Sequence, residues 1–101
     1  MLNIEKTVLD GVVSIGVSGR LDTQTCVDLQ RELEPVWEAG ELNILMDLAD
    51  LQYISSAGLR VLLMSEKKCR ANDKTMTLTN VSQTIREIFD IVGFSGILTL
   101  E

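Results

Sequence analysis

The chain opens with two stretches in which apolar and polar residues alternate, at positions 2–9 and 12–18. A period of two is typical of strands with one buried face. Asp10-Gly11 separates the stretches, and Asp-Gly between alternating runs favours a tight hairpin turn. We therefore predict two antiparallel strands, the second of which ends at Gly19.

Apolar residues then recur at helical spacing in three stretches, 23–39, 57–71 and 82–92. In the first, Asp22, Thr23 or Thr25 could cap the helix, and Thr25 with Asp28 approximates capping-box spacing. Pro35 should kink or loosen the last turn, and Gly40 should end the helix. The second is apolar nearly all round in its first two turns and charged later, which predicts a buried N-terminal half and a solvated C-terminal half. Ser82 and Gly93 can cap the third.

Between the helices lie three further stretches that do not fit a helical period. Residues 42–48 are too apolar to alternate, so we expect a strand that is covered on both faces. Residues 51–56 are interpreted as a connection, and 75–79 alternate as a strand. Residues 97–100 would form a short last strand or helix. The order β-β-α-β-α-β-α predicts an α/β fold in which helices flank a small mixed sheet of four to five strands.

Composition narrows the classes of function. Nine basic and fifteen acidic residues give a net charge of −6, which disfavours nucleic acid as a partner. No apolar run is long enough for membrane insertion, and the first residues do not resemble a signal peptide. We expect one cytoplasmic domain over residues 1–101. The chain has no histidine, which excludes Ser-His-Asp and Cys-His catalysis and histidine-based zinc sites. Cys26 and Cys69 lack CxxC spacing and are predicted to be buried free thiols. No cofactor is expected.

The candidate chemistry lies in Ser55-Ser56-Ala57-Gly58-Leu59, between the buried strand and the second helix. A serine at a helix start presents its hydroxyl beside unpaired backbone N–H groups. A phosphate there would be favoured by the positive end of the helix, so phosphorylation would change the surface and leave the fold intact. The alternative is that either serine simply caps the helix.

Four segments carry a resemblance to a known family. The run from Met46 to Leu62 (MDLADLQYISSAGLRVL) resembles the signature of the STAS family of bacterial anti-sigma factor antagonists. Gly19-Arg20-Leu21-Asp22 resembles that family's G-x-L-D, and residues 78–82 and 88–94 resemble its last strand and closing helix. The resemblance implies the STAS fold. It also implies that the protein binds an anti-sigma factor, which is itself an ATP-dependent serine kinase, and so releases a sigma factor.

The resemblance also implies a switch. The kinase would phosphorylate the serine two positions before the motif's glycine, which is Ser56, and a serine phosphatase would reset the cycle. Ser55 stands where the family commonly has aspartate, so Ser55 is the second choice as acceptor. The partner-binding residues implied are Asp22 and Thr23 in the loop after the second strand, and residues 55–60, namely Ser55, Ser56, Ala57, Gly58, Leu59 and Arg60.

Several of these residues have plainer interpretations. Asp22 can equally be a helix cap, and Arg60 can equally be a solvated side chain. Asp47 is expected to satisfy backbone donors, Asn80 and Ser82 to act as caps, and Trp37 and the methionines to lie in the core.

Two other functions compete with the antagonist. One is a regulatory or scaffold subunit of a transporter or signalling complex, with the same fold and dispensable serine chemistry. The other, a serine hydrolase built on Ser56, lacks both a histidine base and the G-x-S-x-G elbow. We expect a binding protein and not an enzyme.

Overall fold

A computed structural model describes residues 1–101 as one mixed sheet with three helices. The strands are β1 Leu2–Leu9, β2 Val12–Leu21, β3 Asn43–Asp47, β4 Leu51–Ile54, β5 Met76–Thr79 and β6 Thr99–Leu100, and the helices are α1 Cys26–Ala39, α2 Ser56–Ala71 and α3 Gln83–Val92. The sheet order is β1-β2-β3-β5-β6, with β4 also paired to β2. Only β1 and β2 are antiparallel. The predicted mixed α/β fold and the order of the predicted elements are confirmed, but the sheet has six strands instead of four to five. The unpredicted strand is β4, and β6 lies in the stretch 97–100, which was expected to form a short strand or helix.

The hairpin is confirmed, but β2 does not end at Gly19. Asp10 and Gly11 have φ values of 53° and 77°, as a primed two-residue turn requires. The ladder between β2 and β4 then shifts register between Gly19 and Arg20, and β2 continues to Leu21. Gly19 has φ 93°, and a Cβ there would overlap the carbonyl oxygen of Met1. Glycine therefore marks a bulge inside the strand, which the prediction mistook for the strand end.

The sheet is covered on one face only, which corrects the prediction for β3. Ile15, Met46 and Leu78 are registered neighbours on adjacent strands, and all three are buried. On the opposite face, Leu45 of β3 is 36% exposed, and its neighbours Ser14 and Thr77 are half-buried. The apolar run 42–48 therefore alternates in burial, because no helix lies over the second face.

The segment that was predicted to be a connection forms β4 and the first residue of α2. Its strand pairs Leu51, Tyr53 and Ile54 with β2, and Leu51 and Ile54 enter the core. In this strand the first and last residues are buried and the two middle residues are exposed. Apolar and polar positions therefore do not alternate, and the period of two that predicts a strand is absent.

Helix α1 starts later than predicted and passes through its proline. It begins at Cys26 instead of Thr23, and no capping box forms, because the Thr25 side chain bonds within the preceding loop instead. Beyond Pro35 the helix continues to Ala39, and the Gly40 N–H still donates to the Val36 carbonyl at 3.0 Å. The predicted loosening of the last turn is therefore wrong, whereas Gly40, with φ 66°, ends the helix as predicted.

Helix α2 is buried along its whole length on one side, so its C-terminal half is not simply solvated. Ser65 and Glu66 are both buried, at 0% and 4% exposure. Ser65 accepts a hydrogen bond from the Trp37 indole N–H at 3.0 Å, and Glu66 accepts from the Arg70 Nε at 3.1 Å. The first contact joins α2 to α1, and both compensate part of the cost of burying the two side chains.

The remaining predictions on caps and core are largely confirmed. The Ser82 hydroxyl accepts from the Ile85 N–H at 3.2 Å, and Gly93, with φ 78°, ends α3. Cys26 and Cys69 are buried free thiols, and Trp37, Met46 and Met76 are in the core. Met64 is half-buried, and Met1 is exposed because it precedes the first strand. No helix here has both the length and the apolar character needed to cross a membrane.

Candidate functional site

Ser55 is the residue that caps α2. Its backbone is extended (φ −91°, ψ 171°), and its hydroxyl oxygen accepts a hydrogen bond from the Gly58 N–H at 3.2 Å. Its own N–H donates to the Leu21 carbonyl at 2.8 Å, and its carbonyl accepts from the Leu59 N–H at 2.9 Å. Ser55 is thus bonded through both its backbone and its side chain, which is the ordinary role of an N-cap serine.

Ser56 differs from its neighbour in its exposure, its hydroxyl and its backbone N–H. It is the first residue inside α2 and is exposed, and its hydroxyl makes no hydrogen bond within the protein. The backbone N–H groups of Ser56 and Ala57 also lack protein acceptors, as expected in the first turn of a helix. A free, solvent-accessible hydroxyl therefore stands where the positive end of the helix dipole emerges.

The position of α2 on the sheet depends on Gly58. A Cβ at this residue would lie 2.8 Å from the Leu21 Cγ and 3.0 Å from both the Ile54 Cγ1 and the Leu21 carbonyl oxygen. Gly58 is buried, and Leu59 is 6% exposed. In the structure these two residues pack against the sheet and so determine where Ser56 emerges. Their predicted contact with a partner stays a prediction.

The loop after β2 lies beside this helix start, because Leu21 directly precedes Asp22 and bonds to Ser55. The Asp22 Oδ1 accepts from the Gln24 N–H at 3.0 Å and the Thr25 N–H at 2.9 Å. These bonds, led by the one from Thr25, hold the pKa of Asp22 below its ordinary value. Asp22 therefore shapes the loop and does not cap α1, whose N-cap is Thr25, so the cap interpretation is wrong. Thr23 is exposed.

The end of β2 and β4 share one side-chain contact that the sequence did not predict. The Arg20 guanidinium carbon lies 4.1 Å from the centre of the Tyr53 ring, in cation–π geometry. Both side chains are exposed, and the two residues are registered partners on β2 and β4. Finding this pair from the sequence would have required the register shift at Gly19, which no local pattern shows.

The other predicted residues lie around this surface or away from it. Ala57 is half-buried and Arg60 is exposed. Asp47 accepts from the Ala49 N–H at 2.9 Å and the Asn80 side-chain amide at 3.1 Å, so its predicted role of satisfying donors is confirmed. Asn80 has φ 55° and bonds to Asp47, so it stabilises the end of β5 and does not cap α3.

Comparison with known proteins places this arrangement in a family. The family model of the STAS domain matches residues 3–101. The chain belongs to the STAS family. The anti-sigma-B factor antagonist of Staphylococcus epidermidis is 32% identical over 97 residues, which cover 96% of this STAS chain and 90% of the relative.

Solved structures show the same STAS fold at lower identity. An anti-sigma factor antagonist from Mycobacterium paratuberculosis has a TM-score of 0.88 and 20% identity, covering 99% of this chain and 85% of that one. The Bacillus cell fate determinant SpoIIAA in its phosphorylated form has a TM-score of 0.77 and 20% identity, covering 100% and 91%. In the STAS chain described here, Ser55 and Ser56 lie at the turn from β4 into α2.

Proposed function

We propose that this protein is an anti-sigma factor antagonist whose binding to an anti-sigma factor is switched off by phosphorylation of Ser56. STAS membership and relatives that bear the name of anti-sigma-B factor antagonists support the antagonist role. The protein is a regulatory binding protein and not an enzyme. The observation that carries the choice of acceptor is the contrast between two adjacent hydroxyls, of which Ser55 is engaged as a cap and Ser56 is free.

In this proposal the partner is a serine kinase as well as an anti-sigma factor. The γ-phosphoryl group passes from ATP to the Ser56 Oγ, the hydroxyl proton is lost, and ADP leaves. A serine phosphatase hydrolyses the phosphoserine and restores the binding form. The whole domain, residues 1–101, acts as one unit in the cytoplasm.

The physics of the helix start explains how phosphorylation can act without unfolding. A phosphate adds about −1.5 to −2 charges at pH 7. At a helix N-terminus such charge is favourable by about 0.3–1 kcal/mol at an exposed site. The same charge is unfavourable inside an interface that was built around a neutral hydroxyl, because it must be desolvated there. Folding is therefore preserved while partner binding is lost.

The experiment compares Ser56→Ala with Ser55→Ala as a matched pair. Each variant is incubated with ATP and with the anti-sigma factor kinase captured from the source cells by the unmodified protein, and phosphate is located by mass spectrometry. We expect Ser56→Ala to bind the kinase and remain unphosphorylated, and Ser55→Ala to be phosphorylated. Phosphate on Ser55 of the Ser56→Ala variant at an undiminished rate would assign the role to Ser55.

A second measurement tests the switch itself. Ser56→Asp should weaken kinase binding at least tenfold by calorimetry, a change of about 1.4 kcal/mol. Its thermal midpoint should remain close to that of the unmodified protein, because one carboxylate is tolerated at a helix start. Unchanged affinity in a folded Ser56→Asp protein would contradict control by charge at this position.

A further inference from the structure

Arg60 is a cation without a counterion on the surface that carries Ser56. Of the five arginines in the chain, Arg31 pairs with Asp28 at 3.8 Å and Arg70 with Glu66 at 3.1 Å. Arg20 stacks on the Tyr53 ring. Arg60 is exposed and makes neither an ion pair nor a side-chain hydrogen bond.

The helix itself offers Arg60 no acid. Side chains one turn away in either direction are the natural partners of a helical residue. Those at positions 56, 57, 63 and 64 are Ser, Ala, Leu and Met, so none is a carboxylate. The only one of the four with an oxygen in its side chain is Ser56.

The geometry of α2 directs Arg60 toward that oxygen. Ser56 and Arg60 are separated by four residues within one helix, so they are neighbours on its surface, with Cβ atoms about 5–6 Å apart. Helical side chains lean toward the N-terminus, so Arg60 extends over the turn that contains Ser56. An anion at the N-terminal position and a cation four residues later is also the favourable order for such a pair.

We propose that Arg60 is the internal counterion of phosphoserine at position 56, which the guanidinium binds once the phosphate is attached. This inference rests on the proposed function, since it concerns the modified form of Ser56. The planar guanidinium donates two parallel N–H groups to phosphate oxygens, as this side chain does elsewhere. Phosphorylation then changes the surface twice, because it adds an anion and removes a free cation from the reach of a partner.

The test needs no kinase. Phosphoserine is incorporated at position 56 during synthesis of the full chain, and its second ionisation, ordinarily near pH 6, is followed by phosphorus NMR. We expect Arg60→Gln to raise that pKa by about 0.3 unit, which is the shift equivalent to an ordinary helical ion pair one turn apart. Arg60→Lys, which keeps the charge and loses the planar fork, should recover at least half of the difference.

Lys67→Gln is the matched control, because Lys67 is also an exposed cation without an ion pair but lies eleven residues after Ser56 on α2. At about 1.5 Å of rise per residue it lies roughly 16 Å along the helix, beyond the Debye length of about 8 Å at physiological salt, so its removal should leave the phosphoserine pKa within about 0.1 unit. The carboxylate of Asp22, in the loop next to Ser55, is present in all variants, so its effect on the pKa cancels in the comparison. An unchanged pKa in Arg60→Gln, or an equal shift in Lys67→Gln, would overturn the proposal.

The two proposals fail separately. If the kinase modifies a different residue, the proposed function fails, but the titration still tests whether Arg60 binds a phosphate at position 56. If Arg60→Gln leaves the titration unchanged, Ser56 can still be the switch, but its phosphate is bound without Arg60.

Discussion

Replacing Gly58 by alanine tests whether the start of α2 is fixed by close packing on β2 and β4. The added methyl carbon would lie 2.8 Å from the Leu21 Cγ and 3.0 Å from the Ile54 Cγ1. Carbon atoms in contact prefer about 3.5–4.0 Å, so each contact is too short by about 0.5–1 Å. Leu21 is fully buried, and its carbonyl accepts a hydrogen bond from the Ser55 N–H. Neither the side chain nor the backbone of Leu21 can therefore move away freely.

The magnitude follows from two opposing effects. Overpacking of this kind costs about 1–3 kcal/mol. Alanine in place of glycine stabilises a helix by up to about 1 kcal/mol. We therefore expect the free energy of unfolding to fall by about 1–2 kcal/mol, which lowers the thermal midpoint of a domain this size by roughly 5–15 °C.

The assay is urea and thermal denaturation of Gly58→Ala beside Gly16→Ala. Gly16 lies in β2 and has no positive φ, and a Cβ added there would meet no atom within 4 Å. Alanine at this site should be neutral or slightly stabilising, within about 0.5 kcal/mol. A Gly58→Ala protein as stable as the unmodified one would refute the claim that close packing fixes the helix start.

Three further outcomes follow from individual contacts. Ser55→Ala should lose about 1 kcal/mol of stability, whereas Ser56→Ala should stay within about 0.5 kcal/mol, both by urea denaturation; equal losses would contradict the assignment of the cap. Hydrogen-bond donors lower the pKa of Asp22, so the stability it contributes is complete above about pH 4 and is lost as the pH falls through its lower folded-state pKa. Asp22→Asn should therefore show a weaker fall in urea midpoint below about pH 4, and an unchanged slope would argue against this role. Burial, and then the Glu66 charge, raises the pKa of the Cys69 thiol to about 11. In a Cys26→Ala background, a thiol reagent at pH 8 should label the folded protein at least about a hundredfold more slowly than the urea-unfolded chain, and comparable rates would count against a buried thiol.

Features that depend on a few neighbouring residues were predictable from the sequence. Asp10-Gly11 specifies its turn by the φ values that these residue types tolerate, and Gly40 and Gly93 end helices for the same reason. Ser82 caps α3 through a bond three residues along the chain. The serine pair at the start of α2 could be located in the same way, as a polar dipeptide between two apolar elements.

Features that depend on what packs against a segment were not predictable. Leu45 belongs to an apolar run, yet it lies at the surface because no helix covers that face of the sheet. Glu66 lies in a charged stretch, yet it is buried beside Arg70. The choice of Ser56 over Ser55 came from the family resemblance; the residue pattern alone could not distinguish the two hydroxyls, because the bond from Gly58 to Ser55 exists only once α2 is folded.

The bond between the Ser55 N–H and the Leu21 carbonyl has a consequence for the proposed switch. It joins the N-cap of α2 directly to β2, an interior strand of the sheet, and Gly58 keeps the helix start in close contact with that strand. In the proposed switch, a phosphate on Ser56 therefore alters the binding surface at its own point of attachment, and no rearrangement of the sheet has to precede the change in affinity. The duration of the proposed signal would then depend on the kinase and the phosphatase alone.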